Sequence, residues 1–411
     1  MKIYISGISG TAMGALAIFA KKAGIEVFGS DQKEGAVSQE LRENGIDFKV
    51  GEQDGIFLQE KFSEEGIDWF IYTSALPEDH AELKLAKELG IKVSKRDELI
   101  NFLAEKLNLK IVAIAGTHGK TTTTAMIIWT CLQLGLPISW LEGTTLGFAP
   151  AGNYDSESKF LIYEADEYDK NFLAFHPWLS IITVVDYDHA DIYPTVEDYQ
   201  KAFEQFESQS QQVIKNAEID TRIELTGEVR KKDASLALQA VLRILEELVV
   251  EKPVEKIISL LNSFPGANRR FEKIAENVYS DYAHHPEEIR TTIEVAQEEK
   301  EKVGAEGIVV VYEPHQNARQ HEVKKQYVDC FLGVDKIFWL PTFLTREDPE
   351  LKALSPEELT ENLKNKESVS IVENSQDLYE QLKKYQAENY LILLLSAGPA
   401  DEWFRKLFGN I

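Results

Sequence analysis

The sequence predicts an α/β protein of three domains, each built on a mostly parallel sheet. Three observations carry this expectation. Apolar runs of strand length alternate with helical stretches along the whole chain; they fall into three blocks, each with its own kind of glycine-containing turn; and 411 residues exceed what one ordinary core holds. A polar stretch near residue 107 and a Pro-Gly turn near residue 265 divide the blocks, giving expected domains at 1–106, 107–264 and 265–411.

The first block opens with KIYISGISGTAMGALAIFAKKAG, in which Gly7, Gly10 and Gly14 follow a strand and open a helix. A second strand ends at Asp31, about where a Rossmann fold places its ribose-binding acid, so this domain is expected to be Rossmann-like. The full dinucleotide fingerprint would need glycine at the positions of Ser9 and Ala12. What remains is a pyrophosphate site at a helix N-terminus, with a plain strand-to-helix turn as the alternative.

The second block carries IVAIAGTHGKTTTTAMI, residues 111–127. Lys110 to Ala115 suits a buried strand, Gly116 to Gly119 a tight turn, and Thr121 onward the first turn of an apolar helix. Such a turn exposes consecutive N–H groups at a helix start, Lys120 adds a point charge for β/γ phosphates, and Thr121 offers a hydroxyl to Mg²⁺. The usual phosphate-loop spacing would put a further glycine at Ile114, so the loop is a shortened variant of a P-loop ATPase-like domain. Two apolar strands of this block end in acids: Glu164, Asp166, Glu167 and Asp169, then Asp186, Asp188, His189 and Asp191. In an open parallel sheet, both turns would lie beside the phosphate loop, where one or two carboxylates suffice for Mg²⁺. Several of these acids are expected simply to cap helices or face solvent.

The third block, also expected to be Rossmann-like, concentrates Arg and His at three turns of an otherwise acidic chain: NRRFE (Asn268 to Glu272), SDYAHHP (Ser280 to Pro286) and EPHQNARQH (Glu313 to His321). Such groups neutralise phosphate or hold a carboxylate. The Lys/Glu runs at 295–302 and 350–367 read as solvated helix faces.

A net charge of −25 argues against a protein that coats nucleic acid or an anionic membrane, since both reward broad basic patches; it does not exclude small anionic ligands. No apolar run reaches membrane-spanning length, and Met1 leads directly into a strand, so a cytoplasmic location is expected. Cys131 and Cys330, far apart in apolar surroundings, read as buried thiols.

Taken in order, GTHGKTTTT, EADEYD, DYDHADIYPT, RRFE and DYAHHP resemble the Mur ligase family over nearly the whole chain. The resemblance implies an ATP-dependent ligase that joins L-alanine to UDP-N-acetylmuramate through an acyl phosphate, with a murein-tripeptide recycling ligase or a non-catalytic nucleotide-binding homologue as the alternatives. ATP and Mg²⁺ are the implied cofactors, small molecules the partners, and a monomer or homodimer the functional form. By resemblance, ATP contacts are Gly116, Thr117, Gly119, Lys120, Thr121, Thr122, Arg270 and Asp281, and metal ligands are Thr121, Glu164 and His189. Lys120, His189, His284 and Arg319 are the implied catalytic set. Gly7, Gly10, Ser30, Asp31, Ser74, Arg96 and His118 match the UDP-sugar side. The chain departs from the family at Val229, Arg230 and Asp233, where a His-Asn pair and a further Asn are common, at Gln316, where an Arg is usual, and at Pro399, where an acid is common. The place of a carbamoylated lysine in some relatives falls near Phe203 or Glu204, with Lys201 slightly early.

Overall fold

The computed structural model describes residues 1–73, 76–189, 192–345, 347 and 350–409. Among these residues the strands form three sheets. In the first, β1 (Lys2–Ser6), β2 (Glu26–Asp31), β3 (Asp47–Val50), β4 (Trp69–Tyr72) and β5 (Lys92–Lys95) run parallel in the order β3-β2-β1-β4-β5. The chain reverses direction across the sheet between β1 and β4, which is where such folds open a ligand crevice.

The second sheet holds β6 (Lys110–Ala115), β7 (Ser139–Leu141), β8 (Gly152–Asn153), β9 (Phe160–Glu164), β10 (Leu179–Ile182) and β11 (Val213–Lys215), ordered β11-β10-β6-β9-β7-β8. The third holds β12 (Glu272–Ala275), β13 (Val278–Asp281), β14 (Ile308–Glu313), β15 (Lys336–Trp339), β16 (Val369–Ile371) and β17 (Leu391–Ser396), ordered β12-β13-β17-β14-β15-β16. Pairing is parallel except for β7 with β8 and β12 with β13. The expected three-domain α/β architecture is therefore present, with phosphate-loop topology in the middle sheet.

Alternation of side chains across a strand explains why the central strands read as unbroken apolar runs: both faces are covered. Val309, Val311, Ile392 and Leu394 enter one core of the third domain, while Ile308, Val310, Tyr312, Leu391, Leu393 and Leu395 enter the core on the opposite face. In the first sheet Ile3, Ile5 and Ile71 point one way, and Tyr4, Phe28 and Phe70 the other.

One core also runs from the first sheet into the second. It joins Ile3, Ile5 and the helix Thr11–Lys22 to Ala113, Leu161 and Tyr163. By packing, the chain divides into two compact units, Met1–Glu224 with Arg230–Ala267, and Leu225–Val229 with Asn268–Ile411. Within the first unit Gly152 lies directly against the backbone of Ala15, Lys22 Nζ donates to Asn153 Oδ1 (2.6 Å), and Ala151 N donates to Glu40 Oε2 (3.1 Å).

Cys131 and Cys330 are buried free thiols, as expected, and burial pushes both up to about 12. The reading of 350–367 as a helix face requires correction. Helix there is limited to Pro356–Thr360, followed by a 3-10 turn at Lys366–Ser368, and Leu354, Leu359 and Leu363 are buried. Ser355 and Glu358 form a capping box with Pro356 at the first position, so a helix starts there, but the apolar residues needed for anchoring leave no continuous solvated face. The 295–302 run does lie on a helix, Pro286–Val303.

Candidate active site

The phosphate loop and its acids gather at the carboxyl ends of β6, β9 and β10. Gly116 (φ 142°) and Gly119 (φ 85°) adopt backbone conformations that L side chains avoid, and a Cβ on Gly119 would lie 2.5 Å from Asp233 Oδ1. The loop is pinned from the β10 side: Thr117 N donates to Val184 O (2.7 Å), Thr117 Oγ1 donates to Asp186 O (2.6 Å), and Thr183 Oγ1 donates to His118 O (2.6 Å). Thr117 Oγ1 also shares a hydrogen bond with the Tyr199 hydroxyl, 2.7 Å away.

Lys120 begins the helix Lys120–Gln133 and turns back into the loop. Its Nζ lies 2.5 Å from Gly116 O, 3.2 Å from Thr117 O, and 2.9 and 2.7 Å from the two Glu167 oxygens. Burial opposes the ammonium charge, but the adjoining Glu167, Asp166 and Glu164 outweigh it and raise the Lys120 pKa. Burial likewise opposes the Glu167 charge, and Lys120 together with His189 overcomes it, holding that carboxyl below its usual range. The pair is ionised and nearly dry, the Glu167 side chain being 2% exposed. Glu167 was one acid among several in the sequence, and only the folded turn shows it as the lysine's partner.

Thr121 Oγ1 donates to Glu164 Oε1 (3.1 Å), bringing together two of the three expected metal ligands. Glu164 Oε2 is buried without a hydrogen-bond partner. A hydroxyl beside a carboxylate oxygen with spare accepting capacity fits Mg²⁺, which takes few protein ligands and fills its shell with water and phosphate oxygens. No cluster of three or more His, Cys, Asp or Glu that could hold a metal ion occurs among the described residues. His189 joins through a different acid: its Nε2 is 3.6 Å from Glu167 Oε1 and 3.7 Å from Asp188 Oδ2, and its ring stands edge-on to Tyr168. Burial works against its cation, yet Glu167 and Asp188 raise its pKa overall. Thr122 follows in the same helical turn, half-buried. Phe203 packs in the aromatic core against Phe172 and Tyr199, and Lys201 is exposed.

On the first-domain side Gly7 N donates to Ser30 O (2.8 Å), and Gly10 precedes the helix Thr11–Lys22. Asp31 Oδ2 accepts from Ser9 N (2.9 Å), bracing the glycine turn itself. Ser30 Oγ donates to buried Glu82, which also accepts from Tyr4 and Ser6 at 2.7 Å. Nothing in the sequence marks Glu82, because its partners come from separate strands. Ser74 and Asp191 lie outside the described residues. Arg96 opens the helix Arg96–Lys106, with Nη2 3.3 Å from Asp166 Oδ2.

In the third domain Asp281 ends β13 and accepts from Phe271 N (2.7 Å) and Ala283 N (2.8 Å). Burial raises its pKa, while Arg270, whose guanidinium lies over the Tyr282 ring, acts in the opposite sense. Arg319 lies on the helix Asn317–Val323, which Gln316 precedes with φ 62°. Pro399 precedes the helix Ala400–Phe408.

Burial lowers His284 to about 4, Glu288 opposing and Arg319 reinforcing the shift. His284 is therefore neutral in the folded domain near pH 7, whereas the unfolded chain takes up a proton below about 6.5. The unfolded state binds more protons between those values, so His284 costs nothing above the upper one and destabilises increasingly as pH falls towards about 4. His284→Asn, which cannot titrate, is expected to flatten the fall in Tm over that interval. Equal slopes for the two proteins in a melting series would contradict it.

Comparison with known proteins shows similarity along most of the chain. Residues 2–107 match the family model described as "Mur ligase family, catalytic domain", residues 114–239 the "Mur ligase middle domain", and residues 269–398 the "Mur ligase, glutamate ligase domain". A UDP-N-acetylmuramate–L-alanine ligase of Campylobacter jejuni is 30% identical, over 87% of this chain and 90% of that protein. One from Syntrophomonas wolfei is 28% identical, over 98% of this chain and 95% of the relative. Among solved structures, a UDP-N-acetylmuramate–alanine ligase from Thermotoga maritima shares the fold with a TM-score of 0.75 and 24% identity, covering 99% of this chain and 98% of that one. Nucleotide-binding α/β domains with a phosphate loop and acidic strand ends define a class of phosphoryl-transfer proteins, and within it this chain belongs to the Mur ligase family.

Proposed function

We propose that the chain is an ATP-dependent ligase that forms an amide between L-alanine and the carboxylate of UDP-N-acetylmuramate, in cytoplasmic precursor synthesis for peptidoglycan. Relatives bearing that activity's name align over 98% and 87% of this chain and 95% and 90% of their own lengths. The observation that carries the reading is the single cluster of Lys120 in its glycine loop with Thr121, Glu164 and Glu167.

The chemistry follows from these groups. A carboxylate oxygen attacks the γ-phosphorus, the bond to ADP breaks, and the resulting acyl phosphate carries a good leaving group. The uncharged amine then attacks the acyl carbon, phosphate departs, and the amine proton is lost. Lys120 and the N–H groups of Gly116 to Gly119 neutralise and orient the transferred phosphoryl group, so catalysis rests on positioning and charge. Thr121 and Glu164 would hold Mg²⁺, which when bound supplies charge neutralisation at phosphate oxygens. Gly116, Thr117, Gly119, Thr122, Arg270 and Asp281 are assigned to ATP. Gly7, Gly10, Ser30, Asp31, Ser74, Arg96 and His118 are assigned to the sugar nucleotide. His189 is assigned to the metal side, and His284 and Arg319 to the reacting groups. Domain boundaries near residues 107 and 265 accompany this assignment.

Phosphate release by the full chain with ATP and Mg²⁺ is expected to require both UDP-N-acetylmuramate and L-alanine. Release with the murein tripeptide but not with L-alanine would reassign the acceptor. A folded sample inactive with both would overturn the ligase reading.

A further inference from the structure

The acidic turn after β9 faces two ways. Glu164 and Glu167 engage Thr121 and Lys120 of the phosphate loop. The acids between and beyond them engage the first domain instead: Asp166 Oδ2 lies 3.3 Å from Arg96 Nη2, and Asp169 Oδ2 lies 2.5 Å from Lys95 Nζ. We propose that Asp166 is a positioning residue for the sugar nucleotide, acting through Arg96, so that this turn ties the sugar-nucleotide side of the site to the phosphate loop. This rests on the assignment of Arg96 to the UDP-sugar made above.

Three features support it. First, the turn is held in a costly conformation. Asp169 and Lys170 are consecutive non-glycine residues with φ of 56° and 58°, and such backbone persists only where the surroundings over-determine it. They do: Tyr168 N donates to Asp166 Oδ1 (3.1 Å), Asn171 Nδ2 to Tyr168 O (2.8 Å), and the Tyr193 hydroxyl to Glu167 O (2.7 Å). The four carboxylates are therefore presented at set spacings.

Second, a guanidinium is a rigid planar fork whose remaining donors take their direction from whichever group anchors it. Asp166 anchors Nη2, and no other hydrogen bond to the Arg96 guanidinium is made among the described residues. Third, the pair is partly buried, the Arg96 side chain being 20% and that of Asp166 39% exposed, so the guanidinium is held against the turn and keeps one edge open.

The test uses the full chain and steady-state phosphate release. Asp166→Asn is expected to raise KM for UDP-N-acetylmuramate about tenfold, a larger change than in kcat or in KM for ATP. Asp166→Glu, which keeps the charge, is expected to recover part of the loss. In an Arg96→Ala background Asp166→Asn is expected to add nothing, because the two residues act as one unit. An unchanged or lowered sugar-nucleotide KM in Asp166→Asn, or an equal rise with and without Arg96, overturns the inference while leaving the ligase reading intact. A wild-type protein with no turnover dependent on UDP-N-acetylmuramate overturns both.

Discussion

Lys120→Ala is expected to lower phosphate release dependent on UDP-N-acetylmuramate and L-alanine by about 10²–10³-fold, the usual effect of removing one preorganised group from a developing charge. The same substitution has a second consequence that must be separated from the first. Glu167 would be left with a side chain 2% exposed and without its ammonium partner, and breaking a buried pair from one side costs about 3–5 kcal/mol. A drop in Tm therefore accompanies the loss of activity. Lys120→Ala/Glu167→Gln removes the stranded charge and is expected to recover most of the stability with none of the activity. Recovery of turnover in the double variant would mean that the lysine acts only by holding the loop together, and full activity in Lys120→Ala would end the phosphate-loop assignment.

Gly152→Val is expected to separate the first domain's glycine turn from the central sheet. A Cβ at this position would overlap the Ala15 carbonyl oxygen and approach Ala15 C at 2.7 Å and Cα at 2.8 Å. Those are backbone atoms, so no side chain can rotate away; either the helix Thr11–Lys22 shifts or β8 does. Overpacking of this kind typically costs about 1–3 kcal/mol, and rigid backbone on both sides argues for the upper part of that span. Because Gly10 precedes that helix, the shift should appear also as a raised KM for UDP-N-acetylmuramate, with KM for ATP less affected. A variant with wild-type melting and wild-type kinetics would show that the contact is not structurally important.

The three-domain α/β order, the position of the phosphate loop after β6, and the acids at the ends of β9 and β10 were all legible in the sequence. Each is a local signal: apolar runs of strand length, glycines where positive φ is needed, and a lysine and threonine at a helix start. Buried central strands amplify such signals, since Ile308–Glu313 and Leu391–Ser396 are covered on both faces and carry no polar interruption before their last residue or two. Weak local signals misled. The 350–367 run has helix-forming residues, but Leu354, Leu359 and Leu363 are drawn into the core and the helix shortens to Pro356–Thr360.

Which acid meets which cation was decided only in three dimensions. Glu164, Asp166, Glu167 and Asp169 are nearly equivalent as letters, and their division between the loop and Arg96 and Lys95 depends on a turn passing through two left-handed residues that no glycine announces. Glu82 is hidden in the same way, because Tyr4, Ser6 and Ser30 converge on it only once β1 and β2 lie side by side. The chain by itself thus determined the elements and the chemistry at their ends, since hydrophobic period and backbone permissiveness are properties of short segments. Tertiary structure decided the pairings, because a buried charge is stabilised by whatever partner the packed sheets bring within a few ångströms, however distant that partner is along the chain.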